Sequence, residues 1–135
     1  KAVPEDKYAW RPGAGVRSFA EVFLHIAHGN RLLLSIATAP MSKEALEKKI
    51  KETLDGEKEA ANKERILQLL GESFAAVRKS LEGLRAGALG SNAEFFGQAT
   101  TRRGVFVSLD THIAEHLGQA IAYARMNGIK PPWSQ

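Results

Sequence analysis

Three long stretches of this chain repeat apolar residues at intervals of three and four, and residues that cap or break helices flank each of them. The stretches cover about 18–37, 63–86 and 105–127. Residues three and four apart lie on one face of an α-helix, so each stretch predicts a helix with one buried side. A shorter and weaker repeat at about 43–54 predicts a fourth, partly exposed helix. The chain is therefore expected to fold as an all-α protein.

Local signals place the ends of these helices. Ser18 and Glu21 have the spacing of a capping box, and Ser42 and Asn62 are candidate N-caps of the second and third helices. The pair at 127–128, Asn-Gly, is typical of a left-handed stop at a helix C-terminus. The sequence thus predicts where the first three helices begin, and where the last one ends.

The segment between the third and last helices contains no helical repeat. Residues 87–104 hold four glycines, whose spacing fits neither a P-loop nor a dinucleotide-binding turn. This segment is expected to be a long crossover or the wall of a pocket. No part of the chain is expected to form a strand, since the β-prone run 105–107 is explained equally well as a helix start.

Composition excludes several classes of function. A chain of 135 residues with 44% hydrophobic residues predicts one domain, 1–135, with its own core. No apolar run reaches the length of a membrane span, and the absence of cysteine excludes disulfides and thiolate ligands. The net charge is +4, but the basic residues are dispersed and no aromatic residues alternate with them. We therefore expect neither a membrane nor a nucleic-acid partner.

Histidines supply the chemistry of this sequence. His112 and His116 lie four apart in the last helix, on or beside its apolar stripe, so their rings point the same way. On the first helix, His25 lies about 60° to one side of Val22, at the edge of the apolar stripe, whereas His28 lies about 120° away, toward solvent. His25, His112 and His116 can therefore converge between two packed helices. Three imidazoles and one open position are typical of catalytic zinc, and nickel would also accept them.

Other interpretations of these residues stay open at this point. The histidines could simply pack and form hydrogen bonds without a metal. His112, Glu115 and His116 also match the inverted zinc-protease pattern, in which Glu115 would be the general base, but so short a chain hardly provides a substrate cleft. Glu115 and Tyr123 are candidates for acid–base or supporting roles. Tyr123 lies about 10 Å beyond His116 along the helix, so it could roof a pocket but could not bind the same ion.

Several segments, taken together, resemble the DinB-like superfamily, which includes DinB- and YfiT-type bacterial proteins described as metal-dependent hydrolases. They are Pro4-Glu5-Asp6-Lys7-Tyr8, Trp10-Arg11-Pro12, Val16-Arg17-Ser18-Phe19 leading to His25, and His112-x-x-x-His116-x-Gly118-Gln119 with Tyr123, Arg125, Gly128 and Pro131-Pro132. The resemblance implies an up-down four-helix bundle and a three-histidine metal site, which here would be His25, His112 and His116. The family has a helix before the Trp-Arg-Pro segment, and this helix either precedes residue 1 or is replaced by the helix at 43–54.

The resemblance also implies a function. It suggests bound zinc or nickel, a frequent homodimer, and either a metal-dependent hydrolase or a thiol-dependent transferase, acting on an unidentified small molecule at an ion with a position open to water. The alternative is a non-catalytic, stress-associated binding module with a structural metal or none. A cytoplasmic location is expected, and a periplasmic or secreted one stays open because the chain begins with Lys rather than Met.

Overall fold

The fold consists mainly of four helices. The structure is a computed structural model that describes residues 1–59, 61–85, 87–130 and 132–133. The helices are α1 (Phe19–Thr38), α2 (Lys43–Gly56), α3 (Lys63–Glu82) and α4 (Arg102–Met126). Short 3₁₀ turns lie at Glu5–Lys7 and Ala88–Gly90, and two short strands complete the fold. The all-α class is confirmed. None of the described helices combines the length and the apolar character needed to cross a membrane.

The predicted caps account for the helix starts. Ser18 accepts from the backbone N–H of Glu21, whose carboxylate accepts from the backbone N–H of Ser18, so the capping box is complete. Ser42 and Asn62 each accept from the third residue beyond them. These side chains satisfy backbone donors that a helix start leaves free, typically worth about 1 kcal/mol each.

Helix α1 is the centre of the bundle. Helices α3 and α4 pack along it most extensively, and α2 packs on a further side, so eleven of its residues are buried. Phe19 contacts Tyr123, while Ile36 belongs to the same apolar cluster as Val105, so α1 and α4 run antiparallel. The core forms two apolar clusters, one at each end of the α1–α4 pair. The histidines lie between them, where the two helices pass each other.

A β-hairpin corrects the prediction that no strand forms. Strands β1 (Asn92–Phe95) and β2 (Gln98–Thr101) pair antiparallel, with Phe95 opposite Gln98. The turn residues Phe96 and Gly97 have φ values of 48° and 82°. Two consecutive residues at positive φ match the strand twist in a two-residue hairpin, where Asn-Gly or Asp-Gly is the usual signal. The prediction missed this turn because a phenylalanine occupies its first position.

Two helix ends also differ from the prediction. Helix α3 ends at Glu82, since Gly83 caps it, and residue 86 of the predicted span lies outside the described residues. Pro131, which was quoted for the family resemblance, also lies outside the described residues. Helix α4 begins at Arg102 rather than 105, because Thr101 caps it directly after β2. The hairpin therefore delivers the chain straight into the helix that carries two of the histidines.

Candidate metal centre

The three histidines that were predicted to converge do lie together. Helix α1 supplies His25, and α4 supplies His112 and His116. One ring nitrogen of each lies within 4.8 Å of the other two, and the Nε2 atoms of His25 and His112 are 3.0 Å apart. His116 is buried and the other two are half-buried. Three imidazole nitrogens thus share one small volume between the helices.

A buried carboxylate determines which nitrogen of His25 carries the proton. Glu57 follows α2 and is only 6% exposed, with Oε1 2.6 Å from Nδ1 of His25 and Oε2 2.7 Å from Nε of Arg17. Burial raises the pKa of Glu57, but the hydrogen bonds from Arg17 and His25 outweigh it and the pKa is lowered overall. An ionised carboxylate only accepts, so Nδ1 of His25 must donate. The lone pair of His25 then lies on Nε2, which faces His112.

A hydrogen-bond chain determines the tautomer of His116 in the same way. The carbonyl oxygen of Arg17 only accepts, so the Tyr123 hydroxyl donates to it at 3.1 Å. That hydroxyl accepts from Nε2 of Gln119 at 3.0 Å, which directs the amide oxygen Oε1 toward His116. Nδ1 of His116 lies 2.8 Å from Oε1 and therefore donates. The lone pair of His116 is left on Nε2.

His112 is held neutral and lies against helix α1. Burial, with the neighbouring His25 and His116, lowers the pKa of His112 to about 4, so the ring is uncharged at pH 7. Its Nδ1 is buried without a hydrogen-bond partner among the described residues. Helix α1 passes close to this ring at Gly29, where an added Cβ would lie 2.5 Å from Cε1 of His112. A glycine is therefore needed for the ring to occupy its present position.

These features fit one divalent ion. Two nitrogens bound to one tetrahedral zinc at about 2.0–2.1 Å lie roughly 3.3–3.4 Å apart, and the 3.0 Å between Nε2 of His25 and Nε2 of His112 is slightly shorter than this separation. Metal-binding imidazoles must be neutral, and their other nitrogen usually donates to a carboxylate or a carbonyl-type oxygen. Glu57 and Gln119 accept in this way from His25 and His116. The donor set could therefore hold a late first-row ion.

The remaining candidate residues occupy different positions. Glu115 is exposed, and its side chain forms no hydrogen bond or ion pair with any residue in the described ranges, although its charge acts to raise the pKa of His112. Tyr123 is buried and reaches the centre only through Gln119. The hydroxyl of Tyr123 already contacts both the Arg17 carbonyl and Gln119, so Tyr123 positions the neighbouring side chains.

His28 was predicted to face solvent, and this prediction is wrong. The ring is half-buried against α2, where a Cβ on Gly56 would lie 2.6 Å from Nε2, and burial lowers the pKa of His28. The periodicity of the apolar residues identifies only one buried face of α1. The structure buries a second face as well, because α2 packs against it. The phase of His28 relative to the main stripe therefore did not predict its burial.

Sequence reasoning assigned no role to Glu57, and Arg17 and Gln119 entered only as part of the family resemblance. Gln119 could have been found, because it lies three residues after His116 and thus within reach on the same helix. Glu57 is separated from His25 by 32 residues, and no local pattern points from one to the other. Only the packing of α2 on α1 brings this carboxylate to the centre.

Replacing Glu57 with Gln is expected to lower zinc affinity by about 10–100-fold, the usual effect of removing a carboxylate that orients a metal-binding histidine. The amide loses the negative charge and cannot accept from both Arg17 and His25. Competition titration against a chromophoric chelator would measure the change. Glu59→Gln removes the same charge from an exposed residue of the same connection and should leave the affinity unchanged. Equal affinities for both variants would show that Glu57 does not support the centre.

Comparisons with known proteins agree with this architecture. A family model described as the DinB superfamily matches residues 1–120. A solved structure of a DinB-like protein from Bacillus cereus superposes with a TM-score of 0.61 at 16% identity, covering 97% of this chain and 82% of that one. At this identity the likeness concerns the fold alone. No curated protein matches the chain significantly. The match of the family model over most of the sequence confirms the resemblance drawn from its motifs: the chain belongs to the DinB superfamily.

Proposed function

We propose that this protein binds one zinc or nickel ion through His25, His112 and His116 and acts as a metal-dependent hydrolase or thiol-dependent transferase. The observation that carries the proposal is the pair of hydrogen bonds outside the centre. They hold protons on Nδ1 of His25 and of His116, which leaves the Nε2 lone pairs for an ion. Metal-binding histidines usually have such an acceptor on the outer nitrogen, and here the two acceptors turn both lone pairs toward the same small volume.

Three protein ligands support a catalytic rather than a structural ion, since structural zinc sites usually have four. The described residues offer no fourth His, Asp or Glu in this group. When bound, such an ion supplies a Lewis acid with a position open to water or substrate. Glu57 and Gln119 orient the imidazoles. Glu115, one residue before His116, is a candidate for an acid–base or supporting role, and Tyr123 is a positioning residue. We also propose, as expected from the sequence, that the protein acts on a small molecule, forms a homodimer and is located in the cytoplasm.

A second candidate is a non-catalytic binding module without metal. The 3.0 Å between Nε2 of His25 and Nε2 of His112 also suits a hydrogen bond in which His112 donates. In that arrangement the histidines would join two helices and no ion would be required. The two candidates differ in one measurable property, which is whether an ion binds the folded protein.

Elemental analysis of the purified protein, combined with thermal unfolding of the chelator-treated protein, tests the proposal. We expect about one zinc or nickel ion per chain. A ligand at 100 times its dissociation constant that binds only the folded state adds about 2.7 kcal/mol, so the Tm should rise by roughly 5–10 °C. Protein that contains neither ion, and whose Tm does not respond to either, would refute the metal centre and support the binding module.

A further inference from the structure

A cavity of about 270 Å³ lies where α1 ends and α4 begins, at the end of the bundle that carries the β-hairpin. The end of α1, the connection to α2, α2 itself and the hairpin all contribute to its walls. We call this space the hairpin cavity. Most of its lining is apolar, including Ile36, Ala37, Met41, Leu46, Ala93 and Phe96. Ligand sites typically combine such apolar walls with a few polar groups that fix the orientation of the ligand.

The hairpin cavity is separate from the metal centre. Arg102 lines the cavity, and His112 lies ten residues further along α4, which corresponds to about 15 Å of helix. Three buried residues of the intervening turns, Val105, Phe106 and Leu109, belong to the apolar cluster at this end of the bundle. A small molecule in the cavity would therefore not contact the three histidines.

An arginine begins the buried face of α4. Arg102 lies seven residues before Leu109 and fourteen before His116, and residues seven apart on a helix differ by only about 20° in direction. Leu109 and His116 are buried, so Arg102 occupies the inner side of the helix at its first position. The Arg102 side chain is half-buried and forms no ion pair with any residue that the structure describes. The cavity thus contains a positive charge that lacks a carboxylate partner within the described ranges.

Two further polar residues line the cavity, and neither neutralises this charge. Glu94 and Asn92 are both exposed, and Glu94 forms no ion pair with Arg102. Water and salt screen an exposed charge more strongly than a half-buried one, so the guanidinium dominates the charge inside the cavity. The amide of Asn92 can add a hydrogen-bond donor. A ligand with one anionic end and an apolar body would match both parts of this lining.

We propose that the hairpin cavity binds an aliphatic carboxylate, with its chain against the apolar walls and its carboxylate on the guanidinium of Arg102. Arginine can donate two parallel N–H bonds to the two oxygens of such a group. A water molecule takes about 30 Å³ of liquid, so 270 Å³ has room for about nine groups of that size, which suits an acid of about six carbons. The proposal concerns a second site and does not depend on a metal ion at the histidines.

Hexanoate and hexanamide test this proposal, because they match in length and shape but differ in charge at neutral pH. Titration of nitrogen-15-labelled protein, followed by NMR, gives a Kd for each ligand and shows which backbone amides respond. We expect hexanoate to bind about tenfold more tightly than hexanamide, because hydrogen bonds between charged groups are stronger than neutral ones. The responding amides should lie at 36–46 and 92–102. In Arg102→Gln the two ligands should bind equally, through a loss of hexanoate affinity.

Arg103→Gln is the matched control, because Arg103 is the next residue and is exposed but does not line the cavity. This variant should keep the preference for hexanoate, which separates a contact with Arg102 from the general loss of one positive charge. The double variant His112→Ala/His116→Ala should also bind hexanoate as the parent does. That result separates the cavity from a carboxylate bound to an ion at the histidines.

Equal Kd values for hexanoate and hexanamide in the parent, or a preference for hexanoate that persists in Arg102→Gln, would overturn the proposal. The aliphatic stem of Arg102 would then merely cover the apolar walls. Failure of both ligands to shift the signals of residues 36–46 and 92–102 would overturn it as well. So would a loss of hexanoate binding in the double histidine variant, since the ligand would then lie at the metal centre.

Discussion

A variant with both His112 and His116 replaced by Ala is expected to hold no zinc or nickel under loading conditions that give the parent about one ion per chain. His25 alone would remain, and a single imidazole does not retain an ion against a chelator. The fold should persist, because the two apolar clusters lie on either side of the centre and neither includes these histidines. Elemental analysis and circular dichroism of both proteins would measure the two effects.

His28→Ala provides the matched control for this loss. His28 is on the same helix as His25 and is half-buried, but it packs against Gly56 outside the three-histidine group. This variant should bind the ion as the parent does. If the double variant still bound one ion per chain, the ligands would lie elsewhere. If His28→Ala lost the ion, the group of three would be incorrectly assigned.

Local signals predicted the helices and the histidine group well. Ser18, Ser42 and Asn62 cap the helices they were expected to cap, because capping depends on side chains within three residues of the helix start. His112 and His116 needed only the four-residue spacing to share a face. The prediction also required His25 to face these two histidines from α1. The position of His25 at the edge of an apolar stripe was enough to predict this.

The parts that the sequence did not predict depend on contacts between distant segments. Glu57 reaches His25 only because α2 packs against α1, and the same packing buries His28. The hairpin was missed for a different reason, since its turn places Phe96 in a conformation that Asn or Asp usually adopts. In each case tertiary packing or an uncommon turn residue outweighed the local pattern. The residues that support the three histidines are therefore less predictable than the histidines themselves.

Gly29→Ala is expected to weaken zinc binding at least tenfold while leaving the protein as stable as before, or more stable. Alanine in the middle of a helix is favoured over glycine by about 1 kcal/mol. Its Cβ would lie 2.5 Å from Cε1 of His112, too close for non-bonded atoms, and 3.1 Å from Nε2, which is a tight contact. The imidazole is the end of a flexible side chain, so it can rotate away at little cost to the fold. The same rotation removes Nε2 of His112 from its position 3.0 Å from His25.

Stability and metal affinity should therefore change in opposite directions, which an ordinary destabilising mutation does not produce. Thermal unfolding in chelator and competition titration with zinc would measure the two quantities. Gly118→Ala and Gly71→Ala are matched controls on α4 and α3, because a Cβ at either position meets nothing within 4 Å. Both controls should gain helix stability and keep the parent's zinc affinity. If Gly29→Ala also kept it, His112 would not bind the ion from its present ring position, because that position and an alanine at 29 exclude each other.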